Sequence, residues 1–146
     1  MTEIRIEPLS EKWVDQVCKL EEEAFSMPWH KESFLEMISR PDACYLVALV
    51  GERVAASCGL REILGEGEIT NVVTAYEFRR RGIGRKLLES LLKEGAKRGI
   101  LAFTLEVRCS NQAAIGLYKG LGFAEEGIRP GFYEKPREDA LIMWKR

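Results

Sequence analysis

Histidine is almost missing from this chain, and its four cysteines are scattered. His30 is the sole imidazole in 146 residues, and Cys18, Cys44, Cys58 and Cys109 form no C-x-x-C pair. Metal sites of the zinc type need clustered thiols and imidazoles at short spacings, so none is expected. A Ser-His-Asp mechanism is not expected either, since His30 follows Trp29 in a loop and reads as exposed. The cysteines read as reduced, mostly buried thiols. Net charge is also lacking, at a formal value of -1. That balance speaks against nonspecific nucleic-acid binding, which needs a basic face. The longest apolar run, Ala43 to Val50, suits a buried strand and falls well short of the roughly 20 residues of a membrane span. The opening Met1-Thr2-Glu3-Ile4 is unlike a signal peptide. These absences predict a soluble, cytoplasmic protein without direct nucleic-acid or membrane partners. With 46% hydrophobic residues, one domain covering 1–146 can bury a sizeable core.

What charge there is gathers in one place. Arg79-Arg80-Arg81-Gly82-Ile83-Gly84-Arg85-Lys86 holds five basic residues in eight, immediately before an amphipathic run of leucines. Glycines let the backbone approach a ligand, and the helix behind them adds N–H donors and the positive end of its dipole. Such a start suits a phosphate, the alternative being a solvated charged loop. A dinucleotide-binding motif fits poorly, because Leu87 stands at the third glycine position of G-x-G-x-x-G. A Walker-type loop is absent, for no Gly-Lys-Ser/Thr follows.

The order of elements follows from periodicity. Glu3 to Glu7 alternates like a strand, and Ser10 precedes a helix whose Trp13, Val17, Leu20 and Ala24 share a face. Phe25 to Trp29 is a loop, and Lys31 to Ser39 is a short helix presenting Phe34, Leu35 and Ile38. Ala43–Val50 and Arg53–Ile63 are strands joined at Gly51-Glu52. Gly65-Glu66-Gly67 turns the chain into a strand from Glu68 to Thr74. Leu87, Leu88, Leu91, Leu92 and Gly95 mark a helix ending near Arg98-Gly99. A strand from Ile100 to Val107, a helix from Asn111 to Leu121, a strand starting at Gly122-Phe123 and one from Asp139 to Trp144 complete the chain. The pattern predicts an α/β (α+β) fold, a mixed sheet with helices on both faces. Ligands of such sheets gather beyond strand C-termini, which gives Val72 to Thr74, the basic loop and Glu106 to Asn111 one crevice.

Several segments taken together resemble a known family. Val73-Thr74-Ala75-Tyr76-Glu77-Phe78-Arg79-Arg80-Arg81-Gly82-Ile83-Gly84 is similar to the acetyl-CoA loop of the GCN5-related N-acetyltransferases, Gln/Arg-x-x-Gly-x-Gly/Ala, with Arg79, Gly82 and Gly84 in place. Many relatives have glutamine where Arg79 stands. Leu105 to Asn111, Ala114 to Tyr118 and Leu121-Gly122-Phe123 resemble the second half of that fold. Ala24 to Trp29 and Tyr133 to Met143 resemble the RimI group within it, which acetylates the N-terminal alanine of small-subunit ribosomal protein eighteen. The resemblance spans nearly the whole chain. It implies a central sheet of about six to seven strands with one splayed pair, acetyl-CoA as cosubstrate, no metal, and the N-terminus of that ribosomal protein as partner, for a monomer or weak homodimer.

The resemblance also implies site residues. The splayed strand would offer backbone at Val72, Val73 and Thr74 to the pantetheine arm, and Arg79, Arg80, Arg81, Gly82, Ile83 and Gly84 would hold the pyrophosphate. Asn111 matches a cofactor contact, and asparagine is also a common helix cap. Glu106 matches the general base and Tyr118 the general acid, while Trp29 and Tyr133 are candidates for the peptide channel. An α-amine with a pKa near 7.8 is neutral in roughly one molecule in seven at pH 7, against about one in 2,500 for lysine, so a single carboxylate suits an N-terminal amine. Proton transfer from tyrosine to a thiolate is uphill by about 2 kcal/mol, which makes a hydrogen bond the natural role for Tyr118. Cys109 lies near the crevice, but no acyl-cysteine is required. Two other functions share these features: acetylation of a small amine such as a polyamine or aminoglycoside, and coenzyme binding without turnover. The second needs neither Glu106 nor Tyr118.

Overall fold

A computed structural model describes residues 3–146. Its elements run β1 (Ile4–Pro8), α1 (Glu11–Ala24), α2 (Lys31–Ser39), β2 (Ala43–Val50), β3 (Arg53–Ile63), β4 (Glu66–Thr74), a single 3-10 turn (Tyr76–Phe78), α3 (Ile83–Lys97), β5 (Ala102–Arg108), α4 (Gln112–Gly120), β6 (Ala124–Tyr133) and β7 (Glu138–Lys145). The strands form one seven-stranded sheet in the order β1-β2-β3-β4-β5-β7-β6. Among the described residues the β4–β5 junction alone is parallel. The expected mixed α/β sheet is therefore present.

Helices cover both faces of the sheet. Tyr45 of β2 points toward α1, where its hydroxyl meets Glu21. Leu60 of β3 lies instead against Gly95 of α3. Strand β2 runs between these layers and is buried at seven of its eight positions, which explains why its sequence is continuously apolar and not alternating. Val14 and Val17 of α1 and Leu87, Leu88 and Leu91 of α3 are essentially inaccessible. Each contributes about 1.5–3 kcal/mol through burial.

Four local expectations need correction. In α1 the inward row continues from Trp13 and Val17 to Glu21, while Ala24 is exposed. In α2 the inward pair is Phe34 and Met37, and Ile38 faces solvent. Phe34 packs between Trp29 at 5.3 Å and Tyr45 at 5.6 Å, and this contact sets the helix's rotation. The β3–β4 turn is Leu64-Gly65, both at positive φ, so β4 starts at Glu66. A two-residue hairpin with both residues left-handed matches the strand twist, and here it overrides leucine's reluctance. Strand β5 starts at Ala102 because the Ile100 N–H donates back to the Gly95 carbonyl, closing α3.

Candidate active site

The parallel junction is short. β4 and β5 pair only from Glu66–Ala102 to Glu68–Thr104. Beyond that point β4 stays with β3 and β5 stays with β7, so the sheet opens between them. Backbone N–H and C=O groups on the facing edges of Ile69 to Thr74 are left without a strand partner, and buried backbone groups demand one. A bulge helps to open the slot. The β3–β4 register shifts between Ser57 and Gly59, and Asn71 there has φ +57°, a conformation asparagine tolerates better than most residues. Val73 is buried and serves the core, while Val72 and Thr74 are half-buried.

Just past this edge lies the basic loop. Arg80 and Gly82 have φ of +63° and +75°, and a Cβ on Gly82 would meet nothing within 4 Å. No side chain caps α3, so the N–H groups of its first turn have no intrahelical acceptor. These donors fit a pyrophosphate. Gly84 sits so close to β4 that an added Cβ would lie 3.1 Å from the Thr74 hydroxyl. Ile83 turns its side chain into the core, leaving only its backbone for a ligand. The arginines behave differently from one another. Arg79 folds back, its Nε donating to the Thr74 carbonyl at 3.2 Å, and Arg81 covers Phe78. Arg80 is exposed and has no ion-pair partner among the described residues.

The other side of the slot carries side-chain chemistry. Glu106 projects from β5 between buried Leu105 and Val107. Its Oε2 is enclosed and stands 2.7 Å from Arg129 Nε of β6, a charge contact without the alignment of a hydrogen bond. Tyr133, at the end of β6, is close enough to feel the Glu106 charge. Burial first, then that charge, pushes its hydroxyl up to about 12, and Arg108 lies over its ring at 4.4 Å. Tyr118 of α4 is buried against Phe123. Burial, with smaller contributions from Cys58 and Tyr133, drives its pKa well above the ordinary tyrosine value. Its O–H is thus retained over the whole neutral range. Asn111 caps α4 by accepting from the Ala114 N–H at 3.1 Å. Glu138 of β7 accepts from the Ser110 N–H at 2.7 Å and from Arg108 at 3.2 Å, holding the start of α4 beside β5.

On the α1 side of β4 the structure contains a group that periodicity concealed. Glu21 is fully buried. Asn71 Nδ2 donates to both of its oxygens at 2.9 Å, and the Tyr45 hydroxyl donates to Oε2 at 3.2 Å. The Trp29 backbone amide is a third, looser donor. Burial outweighs these bonds and pushes the carboxyl up to about 7. The available signal was an acid in an apolar i, i+4 row, Trp13-Val17-Glu21. His30 is exposed, as expected, and all four cysteines are free thiols, though Cys18 and Cys109 are only half-buried. A cavity of about 440 Å³ lies elsewhere, lined by Met37, Tyr45, Lys93, Lys97 and Arg98. Of the groups just described it holds only Tyr45 and Cys44. Among the described residues no three potential metal ligands cluster, and no helix is long and apolar enough to cross a membrane.

An open parallel junction with uncapped N–H donors at its mouth suits the pantetheine arm and pyrophosphate of a coenzyme-A-dependent acyltransferase. Residues 14–123 match the Acetyltransferase (GNAT) family, and the chain belongs to that family. It is an acetyl-CoA-dependent N-acetyltransferase. A [ribosomal protein bS18]-alanine N-acetyltransferase of Salmonella typhimurium is 38% identical over 129 residues, covering 86% of this chain and 85% of its own. The Escherichia coli K12 protein of the same name is 37% identical over 126 residues, covering 85% and 84%. The crystal structure of the Escherichia coli ribosomal-protein alanine N-acetyltransferase superposes with a TM-score of 0.88 at 33% identity, over 98% of this chain and 93% of that one.

Proposed function

We propose that the chain acetylates the N-terminal alanine of ribosomal protein bS18, by direct transfer in a ternary complex. The observation that carries this reading is the opening of the sheet after Glu68 and Thr104, with Glu106 on one arm and unpaired β4 backbone on the other. The names of the relatives, at 37–38% identity over most of the chain, point to the same acceptor. When bound, acetyl-CoA supplies a thioester whose carbonyl carbon is open to an amine.

The chain's own groups divide the remaining work. The N–H groups from Gly82 to Arg85, with Arg80 beside them, hold the pyrophosphate. Backbone at Val72, Val73 and Thr74 bonds the pantetheine arm and polarises the acyl carbonyl. Asn111 adds a contact through its Nδ2, since its Oδ1 is spent on the cap. Arg79 braces the loop against β4, and Arg81 contributes charge. Glu106 takes a proton from the acceptor ammonium through a water molecule, so that the free amine can form the N–C bond while the C–S bond breaks. The second proton, shed by the nitrogen as the amide forms, ends on the departing sulfur, so the coenzyme leaves as its thiol, and the Tyr118 hydroxyl donates a hydrogen bond to that sulfur as the C–S bond breaks. Trp29 and Tyr133 wall the path by which the peptide enters.

The test mixes the protein with acetyl-CoA and a peptide beginning at the bS18 alanine, follows thiol release and locates the added mass. A second peptide has its N-terminus blocked and one lysine free. Acetyl found on the α-amine alone supports the assignment. Transfer to small amines but to neither peptide would replace the acceptor, and binding without transfer would replace the reaction.

A further inference from the structure

Among the described residues Glu21 is the one buried carboxylate, and the proposed reaction does not use it. Its neighbours Glu22 and Glu23 are exposed on the same helix, so its burial is not a consequence of composition. Removing a carboxylate from water is unfavourable unless donors replace the lost hydration. Here the hydrogen-bond donors are Asn71 of β4 and Tyr45 of β2, and the Trp29 amide lies near enough to favour the charge while its ring is tied to Tyr45 through Phe34. No charged side chain is among them. One group thus holds three segments that are far apart in sequence.

Two of these segments border the active site. Asn71 sits at the bulge, between the last β4 residue paired with β5, Glu68, and the backbone at Val72 to Thr74 that faces the slot. Its left-handed φ is stabilised when its side chain is held, because the bulge then has a fixed direction. Trp29 belongs to the loop on the acceptor side and packs on Phe34, which packs on Tyr45. From this juxtaposition we infer that Glu21 is a positioning residue for acetyl transfer, a buried clamp that fixes the acceptor loop at Trp29 against the coenzyme-binding edge of β4 through Asn71. The inference rests on the acetyl-transfer reading. It adds that the distance between amine and thioester is set by a group touching neither. Misplacement of reacting atoms by about 1 Å costs on the order of 100-fold in rate, so a clamp of this kind acts on kcat.

The test compares the unaltered protein with Glu21→Gln, Asn71→Gly and the double variant Glu21→Gln/Asn71→Asp. Glycine keeps the positive φ and removes the tie. The double variant rebuilds an amide–carboxylate pair with its polarity reversed. Single-turnover transfer to the α-amine peptide is measured at saturating acetyl-CoA, beside coenzyme affinity, thermal unfolding, and amide hydrogen exchange at Trp29 and residues 71–74. Both single variants are expected to lose about 10- to 100-fold in transfer rate with coenzyme affinity within about threefold, and to exchange faster at both segments together. The double variant is expected to recover at least about tenfold of that rate. Unchanged transfer in Glu21→Gln, losses that follow the melting temperature alone, or no recovery in the double variant would overturn the clamp. Failure of the unaltered protein to acetylate the peptide would overturn the acceptor reading instead. The exchange data would then decide by themselves whether Glu21 holds the two segments together.

Discussion

The two arms of the open junction do opposite jobs with opposite parts of the chain. On β4 the groups facing the slot are main-chain N–H and C=O, and the side chains at Val72 and Val73 are packing residues. On β5, which stays in register with β7 from Phe103 to Arg108, the group assigned to the chemistry is a side chain, Glu106. A backbone ligand is nearly indifferent to sequence, whereas a carboxylate is defined by it. One arm should therefore tolerate substitution and the other should not.

Glu106→Gln tests that contrast most severely: turnover should fall about 100- to 1,000-fold with coenzyme affinity within about twofold, as steady-state kinetics and calorimetry would report. A second effect lies beneath the β4 arm. Burial raises the Glu21 carboxyl to about 7 from an unfolded value of 4.5, so the native state keeps a proton that the unfolded chain releases. Its favourable contribution is complete below about pH 4.5 and is lost as pH rises through 7, in all about 3 kcal/mol. Urea unfolding between pH 4.5 and 7.5 should show the unaltered protein losing that much relative to Glu21→Gln. Gly84→Val should come next, because any Cβ there crowds Thr74. Coenzyme affinity should weaken by about tenfold or more with little change in saturated turnover. Smallest of all, Val72→Ala should alter either constant by less than about twofold, since a backbone ligand survives loss of the side chain. A large effect at Val72 would break the contrast between the arms.

Much of this was written in the periodicity. Strands β2 and β3 and helix α2 have the boundaries that their apolar runs and Gly51-Glu52 imply, and composition alone marks the loop from Arg79 to Gly84 as the candidate anion site. What stayed hidden depends on tertiary partners. Glu21 looks like one of three solvated acids in a row until Asn71 and Tyr45 are brought to it from β4 and β2. Leu64 occupies a left-handed turn position that its residue type disfavours, because the strand twist on either side requires it. Met37 displaces Ile38 from the core since Phe34 is held between two aromatic rings. The pairing of Arg129 with Glu106 joins β6 to β5 across β7, a neighbour relation that no local pattern contains.

Titrating coenzyme A into isotopically labelled protein and following backbone amide shifts tests the central claim directly. The account requires perturbations concentrated at Val72 to Thr74 and Arg80 to Arg85, with smaller ones at Asn111. Perturbations centred on Met37, Lys93 and Arg98, around the cavity of about 440 Å³, would contradict it.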